Sequence, residues 1–301
     1  MPESADHTEP FLDSFKRFLT QQRKEESTIR VYVAEVRKFL RWAEQRGRSL
    51  PEIRMDDLLI FRGDLESAGV HHATINKSLS VVSTFFKWAC AQGYAAANPA
   101  ERVRIIEPKK AAPPRWLSSE EEEKLLAIAA MEQNPFKRAR NTALLHVMLY
   151  AGLRVEEVSE LQLKSLRENE LLVFHGQEHA RTVPLPPASS AKLQEWVEWR
   201  NEAGRAEYIR SPYLFVTERM GAMQPRAVQF VVEGYSEKLG FPVLCQHLRN
   251  TYCRRLAEQG MPLERIQRLA GQKSPVTAKR YFEGLGHLPQ SPAQGRDEWK
   301  G

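Results

Sequence analysis

Cysteine is scarce. The 301 residues hold three, Cys90, Cys245 and Cys253, with no CxxC pair and no metal-ligand spacing, which excludes a disulfide framework or a zinc ribbon. Three thiols without such a pattern fit a reducing interior, the cytoplasm. Long apolar runs are missing too. The longest uncharged apolar stretch, Thr142 to Leu153, falls far short of the ~18 residues that a membrane span needs. The first ten residues are polar and acidic, unlike a secretory leader. No repeat and no low-complexity tract is present. A composition of 42% hydrophobic and 27% charged residues argues against wholesale disorder. The charge leans one way: 44 Lys and Arg against 38 Asp and Glu leave a net +6. That balance favours a polyanionic partner, foremost nucleic acid.

The pattern along the chain predicts a mainly α protein of two domains. Residues 8–99 read as four helices in a small bundle. In one of them, capped by Ser27, Tyr32, Val36, Phe39 and Leu40 share a face. A short helix runs from Asp56 to Leu65 and stops near Gly69. Another opens at Thr74 and carries Ile75, Leu79, Val82, Phe86 and Ala89 at helical spacing until Gly93. The other faces carry Arg30, Arg37, Lys38, Arg41, Lys77 and Lys87, a candidate phosphate-facing surface. Residues 100–116, with Pro108, Pro113, Pro114 and the basic Arg102, Arg104, Lys109, Lys110 and Arg115, read as a basic linker. The second domain, 117–285, opens on a capping box from Ser118 to Glu121. A buried helix ends at Gly152, two short strands (Leu171 to Phe174 and Arg181 to Leu185) form a small β-hairpin, and three helices close the domain: Leu248 to Gln259, Leu263 to Ala270 and Pro275 to Phe282. Pro262 and Pro275 suit first-turn positions. Residues 286–301, rich in Pro and Gly, read as a flexible tail.

The chemistry concentrates in a few positions. Ala151-Gly152-Leu153-Arg154 places an arginine at a helix start, with Glu157 on the same face three residues on. Gln246-His247-Leu248-Arg249 places a second arginine among apolar residues. Leu269-Ala270-Gly271-Gln272 follows, and Tyr281 stands nine residues after Gln272. Two guanidiniums can hold the non-bridging oxygens of a phosphodiester in bidentate geometry, and a phenol can attack it. Each residue alone is an ordinary core or surface residue; the order and spacing single them out. Gly-Leu-Arg-x-x-Glu, x-x-Leu-Arg-x-Thr, Leu-x-Gly and the late tyrosine together resemble the tyrosine recombinase (phage integrase) family. The resemblance runs from about residue 10 to 285. Ala73 to Ala89, Gly93 and Asn98-Pro99-Ala100 look like that family's helical core-binding domain. Trp116 to Glu121 look like the entry to its catalytic domain, and Arg181-Thr182-Val183-Pro184-Leu185 like its second hairpin strand.

The resemblance implies a site-specific recombinase or integrase that breaks and rejoins DNA through a 3′-phosphotyrosyl intermediate, with no metal and no nucleotide. Tyr281 would be the nucleophile, Arg154 and Arg249 the phosphate clamp, and Glu157 the support of Arg154. Arg181 and Lys273 join the DNA-contacting candidates. Four protomers would act on two DNA sites, alone or with a partner recombinase. The chain departs from the family at three positions. The lysine usual in the hairpin turn is absent: none occurs between Lys164 and Lys192, and the position falls on His175, Gly176 or Gln177. Gln246 and Gln272 stand where the family has histidines, and glutamine donates hydrogen bonds but carries no proton near neutrality. His175, His179, His247 and Lys273 are the candidates to take over proton transfer. The alternatives are a catalytically silent DNA-binding protein that keeps the clamp and a relaxing enzyme of the type IB kind.

Overall fold

The computed structural model describes residues 9–104, 106, 113–175, 179–204, 206–217, 221–272 and 274–285. The chain divides into two compact units, Met1–Ala111 and Ala112–Gly301.

The first unit is a four-helix bundle: α1 (Glu9–Gln21), α2 (Glu26–Gln45), α3 (Met55–Ser67) and α4 (His72–Ala91), with a single 3-10 turn at Leu50–Glu52. The expected faces are the ones that pack. Leu12, Phe15 and Leu19 of α1 meet Val36, Phe39 and Leu40 of α2 and Phe61 of α3, all against Ile75, Val82, Phe85 and Phe86 of α4. Edge-on rings, such as Phe39 on Phe61 with centroids 5.1 Å apart, fill the centre. Each fully buried side chain of this size contributes roughly 1.5–3 kcal/mol. Two predicted caps move. Ser27 lies inside α2, whose N-cap is Glu25, and α4 starts two residues early because the His71 ring accepts the Ala73 N–H at 3.3 Å. The N-terminal part of the expected linker is tied to this bundle. Ala100 is buried, and the Asn76 amide both donates to the Ile106 carbonyl (2.7 Å) and accepts from its N–H (2.8 Å).

The second unit is mostly helical around one buried helix. Its elements are α5 (Ser119–Ala130), α6 (Pro135–Tyr150), α7 (Val155–Glu160), β1 (Leu166–Arg167), β2 (Glu170–His175), β3 (His179–Pro184), α8 (Pro187–Glu202), α9 (Ala206–Arg210), β4 (Val216–Thr217), β5 (Gly221–Ala222), α10 (Pro225–Leu239), α11 (Cys245–Glu258), α12 (Leu263–Leu269) and α13 (Pro275–Lys279), closed by a 3-10 turn Arg280–Phe282. The predicted capping box forms at α5: Ser118 Oγ accepts from Glu121 N–H at 3.2 Å and Glu121 accepts from Ser118 N–H at 3.0 Å. The C-terminal half of α6, from Ala143 on, is apolar nearly all round, as a helix enclosed by its neighbours must be. Leu144, Leu145, Val147, Met148 and Leu149 are fully buried, and α5, α8 and α11 pack on it. Strands β2 and β3 pair antiparallel with Leu171 opposite Val183 and Val173 opposite Arg181. Leu171, Val173 and Val183 point into the core, while Phe174 is exposed. The sheet has a third strand, β1, and β4 and β5 form a separate two-stranded sheet; these three strands are each only two residues long and so without a readable alternation. Pro262 is the N-cap of α12 rather than a first-turn residue, whereas Pro275 occupies the first turn of α13 as expected.

His146 of α6 shows how burial fixes a protonation state. Its Nδ1 lies 3.1 Å from Ser189 Oγ, and burial, then the charge of Lys192, push its pKa down to about 4. An unfolded histidine takes a proton below about pH 6.5. Between those values the unfolded chain holds more protons than the folded one, so stability is full above about 6.5 and falls as the pH drops. Thermal unfolding at pH 7.5 and 5 should therefore show the wild type losing about 2 kcal/mol more than His146→Gln over that interval. Equal losses in the two proteins would remove His146 as the cause.

Candidate active site

The site is assembled around the C-terminal end of α12. A helix ends with carbonyls that have no partner within it. Here three consecutive ones each receive an arginine from a different element. Arg181 Nε of β3 donates to the Leu269 carbonyl at 2.7 Å, an Arg249 Nη of α11 to that of Ala270, and an Arg154 Nη to that of Gly271 at 2.5 Å. One carboxylate serves all three guanidiniums. Glu157, 4% exposed, is gripped by Arg181 in a two-pronged contact of 2.7 and 2.9 Å. It accepts from Arg154 Nη1 at 3.1 Å and lies 3.8 Å from Arg249. Burial raises its pKa, but the Arg181 hydrogen bonds and charge, the Arg154 N–H and the Arg249 charge outweigh it, leaving Glu157 below the usual carboxylate range. Three fixed positive charges against one negative leave an excess of two, an anion site built into the fold.

Arg154 is placed by the Gly-Leu turn before it. Gly152 has φ +59°, and a Cβ there would run into the Tyr252 ring. Arg154 is then the N-cap of α7, its own N–H held by Glu157 at 2.7 Å. The Gly152 carbonyl accepts from Arg249 Nη1 at 2.5 Å, so the two arginine segments brace each other. Gly271, φ +60°, is equally constrained, because a Cβ would come 2.9 Å from Arg181 and 3.4 Å from Arg154. The described bonds use two of the five N–H donors each of Arg154 and Arg249 and leave the others for a ligand. Both line a cleft of about 450 Å³ together with Gln246, Cys245 and Arg226.

Tyr281 sits in the 3-10 turn after α13 and lines a neighbouring cleft of about 340 Å³ with Arg115, Gln246, His247 and Asn250. Gln246 borders both clefts. The phenol is 2% exposed. Its oxygen donates to Asn250 Oδ1 at 3.0 Å and accepts from Gln272 Nε2 at 3.4 Å. Burial first, then the neighbouring Cys253, push its pKa up to about 12. The turn is pinned from behind by Arg254, which donates to the Tyr281 carbonyl (2.9 Å) and the Glu283 carbonyl (2.8 Å) and stacks on the Trp116 ring at 4.6 Å. His247 Nδ1 accepts the Leu244 N–H at 3.2 Å, which puts the ring's hydrogen on Nε2, and burial, then Arg115, lower its pKa.

The structure thus brings Arg154, Glu157, Arg249, Gln246, Gln272 and Tyr281 to one place. Arg181, expected to face DNA, is turned inward: the Glu157 carboxylate and the Leu269 carbonyl take up its guanidinium, and its side chain is 12% exposed. Asn250 and Arg254 carried no signal beyond their nearness to Arg249. The His175 side chain, Gln177 and Lys273 lie outside the described residues, as do Lys109 and Lys110 of the linker. In the first unit Arg30, Lys38, Arg41, Lys77, Lys87 and Arg102 are exposed, whereas Arg37 is half-buried and paired with Glu9 at 3.1 and 3.2 Å. Among the described residues no group of His, Cys, Asp and Glu could hold a metal ion, and no helix is long and apolar enough to cross a membrane.

A pocket of arginines beside a buried phenol defines a class: a site that holds a phosphodiester and offers it an oxygen nucleophile. Comparison with known proteins narrows it. The phage integrase family profile matches residues 115–285, and the profile of its N-terminal SAM-like domain matches residues 12–93. The chain is 27% identical over 276 residues to tyrosine recombinase XerA of Pyrococcus furiosus, covering 90% of this chain and 88% of that one. It is 25% identical over 278 residues to tyrosine recombinase XerC of Roseiflexus castenholzii, covering 90% and 87%. In fold it is similar to a lambda integrase dimer bound to a COC′ core site, at a TM-score of 0.69 and 17% identity over 97% of this chain and 80% of that one. The chain belongs to the phage integrase family, the tyrosine recombinases that break and rejoin DNA.

The cluster makes one stability prediction. Removing the carboxylate strands buried guanidiniums against each other, a loss of about 3–5 kcal/mol for a broken buried pair. Chemical denaturation of Glu157→Ala should show a loss in that range, and Glu157→Gln, which keeps the shape and one acceptor oxygen, a smaller one. A loss under about 1 kcal/mol in Glu157→Ala would mean that the arginines do not depend on it.

Proposed function

We propose that this protein is a site-specific recombinase in which Tyr281 attacks the scissile phosphate. The phenolic oxygen forms the bond to phosphorus, the bond to the 5′ oxygen breaks, and a 3′-phosphotyrosyl link and a free 5′-hydroxyl result. The covalent link keeps the phosphodiester's energy, so a partner strand's hydroxyl can reverse the step. The observation that carries this reading is the convergence of Arg154 and Arg249 on one cleft next to the Tyr281 phenol. The two guanidiniums neutralise the charge that builds on the non-bridging oxygens, and Glu157 and Arg181 hold them in position. Gln246 and Gln272 replace proton-carrying histidines with fixed amide donors. The exposed basic residues of the first unit supply phosphate contacts, which position a duplex without reading its sequence. Four protomers on two DNA sites, inside the cell, complete the reading.

The two glutamines and the missing hairpin lysine favour a second reading, a silent DNA-binding protein, because loss of one general acid or base typically costs about 10²–10⁴ in rate. Nicked duplexes from the DNA flanking the gene separate the two. On a denaturing gel the wild type should form a covalent adduct that Tyr281→Phe lacks, while both bind the duplex alike. Equal binding with no adduct from either protein would establish the second reading.

A further inference from the structure

Asn250 follows Arg249 on α11 and is 4% exposed. One neighbour fixes which way its amide points. The Arg115 carbonyl can only accept a hydrogen bond, so the end of the amide that meets it at 2.8 Å is the nitrogen. Oδ1 therefore faces the other way. It accepts from Gln246 Nε2 at 2.8 Å and from the Tyr281 hydroxyl at 3.0 Å. An amide oxygen has no hydrogen to give, so the phenol is the donor in that contact. Its hydrogen is committed to Asn250, and its lone pairs are left for Gln272 Nε2 and for an electrophile.

We propose that Asn250 is a catalytic residue of this recombinase: its carbonyl aims the Tyr281 O–H away from the phosphate so that an oxygen lone pair faces phosphorus, and the phenolic proton leaves to hydroxide or a buffer base rather than to a side chain. The proposal rests on Tyr281 being the nucleophile. The step balances simply. The Tyr281 oxygen–phosphorus bond forms as the proton on that oxygen passes to the base, the phosphorus–5′ oxygen bond breaks, and the 5′ oxygen takes a proton from water.

The surroundings of the phenol leave few other destinations for that proton. Gln246, Asn250 and Gln272 are amides. Arg249 and Arg254 of α11, Arg280 of the tyrosine's own turn and Arg115 carry guanidiniums, which donate hydrogen bonds and accept none. Lys279 of α13 is exposed. The Cys253 thiol is pushed up to about 11 by burial, so it is a neutral neighbour. His247, across the same cleft, is the competing acceptor. A third amide beside the nucleophile also gives Gln246 a fixed orientation: one hydrogen of its nitrogen is held by Asn250, and the other stays available to a phosphate oxygen.

The test is the rate of adduct formation in a single turnover on a nicked duplex, from about pH 6 to 9.5, with DNA affinity measured alongside. Wild type, Tyr281→Phe, His247→Gln, Asn250→Ala and Asn250→His are compared. The wild-type rate should rise tenfold per pH unit across the range, and His247→Gln should keep that slope. Asn250→Ala should keep its DNA affinity and slope but run about 10- to 100-fold slower, the effect of a lost buried hydrogen bond. Asn250→His puts a titratable acceptor beside the phenol, so its rate should exceed the wild type at pH 7 and level off above that, a change that a purely structural role would not produce. A wild-type rate that is flat, or that levels off anywhere below pH 8, with the pH dependence restored in His247→Gln, would overturn the proposal. So would an adduct that depends on Tyr281 but forms at the wild-type rate in Asn250→Ala. No adduct from the wild type at any pH would instead remove the nucleophile reading, and this one with it.

Discussion

Everything in the second unit that concerns chemistry depends on one carboxylate among three guanidiniums. Like charges at this range repel, and burial makes the repulsion stronger. Arg154, Arg181 and Arg249 coexist because Glu157 and the three terminal carbonyls of α12 lie among them. The arrangement is overdetermined, since each arginine comes from a different element and each ends on both a backbone dipole and the shared carboxylate. Two positive charges remain in excess. A phosphodiester entering the cleft supplies negative charge that the fold has left unmatched, and the site needs little reorganisation to receive it.

The Tyr281 phenol is held by different means. Where the phosphate pocket is made of permanent charges, the phenol's surroundings are made of amides: Asn250, Gln246 and Gln272. Charges bind a phosphate, and amides orient a hydroxyl without competing for its proton. Arg254 clamps the backbone of the tyrosine turn to α11, the same helix that carries Arg249 and Asn250. Arg249, Asn250 and the Tyr281 turn therefore share one rigid support, which under the proposed function favours a fixed approach of phenol to phosphate over one found by motion.

Much of this was legible in the sequence. Apolar spacing located the helices of both units, and Ser118 and Glu121 marked the start of α5. The order Gly152, Arg154, Glu157, Arg249, Gln272, Tyr281 singled out the residues that the fold brings together. What stayed hidden did so for physical reasons. Strands β1, β4 and β5 are two residues long, too short for alternation to register. Arg181 reads as a surface cation on a strand, because the partner that turns it inward is 24 residues away in sequence. Asn250 has no signature of its own: its role comes from the Arg115 carbonyl, 135 residues earlier. The ends of the expected linker carry loop-like composition, yet Asn76 and Ile106 bind one end to the bundle, and the Leu117 N–H bond to Thr251 Oγ1 at 2.9 Å secures the other to α11.

The central claim is that the arginine pocket presents a phosphodiester to Tyr281. It is tested most directly by trapping the protein on a nicked duplex, digesting both components and weighing the peptides. The account predicts a nucleotide mass on the peptide that contains Tyr281 and on no other, and its loss in Arg249→Ala. A nucleotide on a different residue, or tight DNA binding with every tyrosine peptide unmodified, would contradict it.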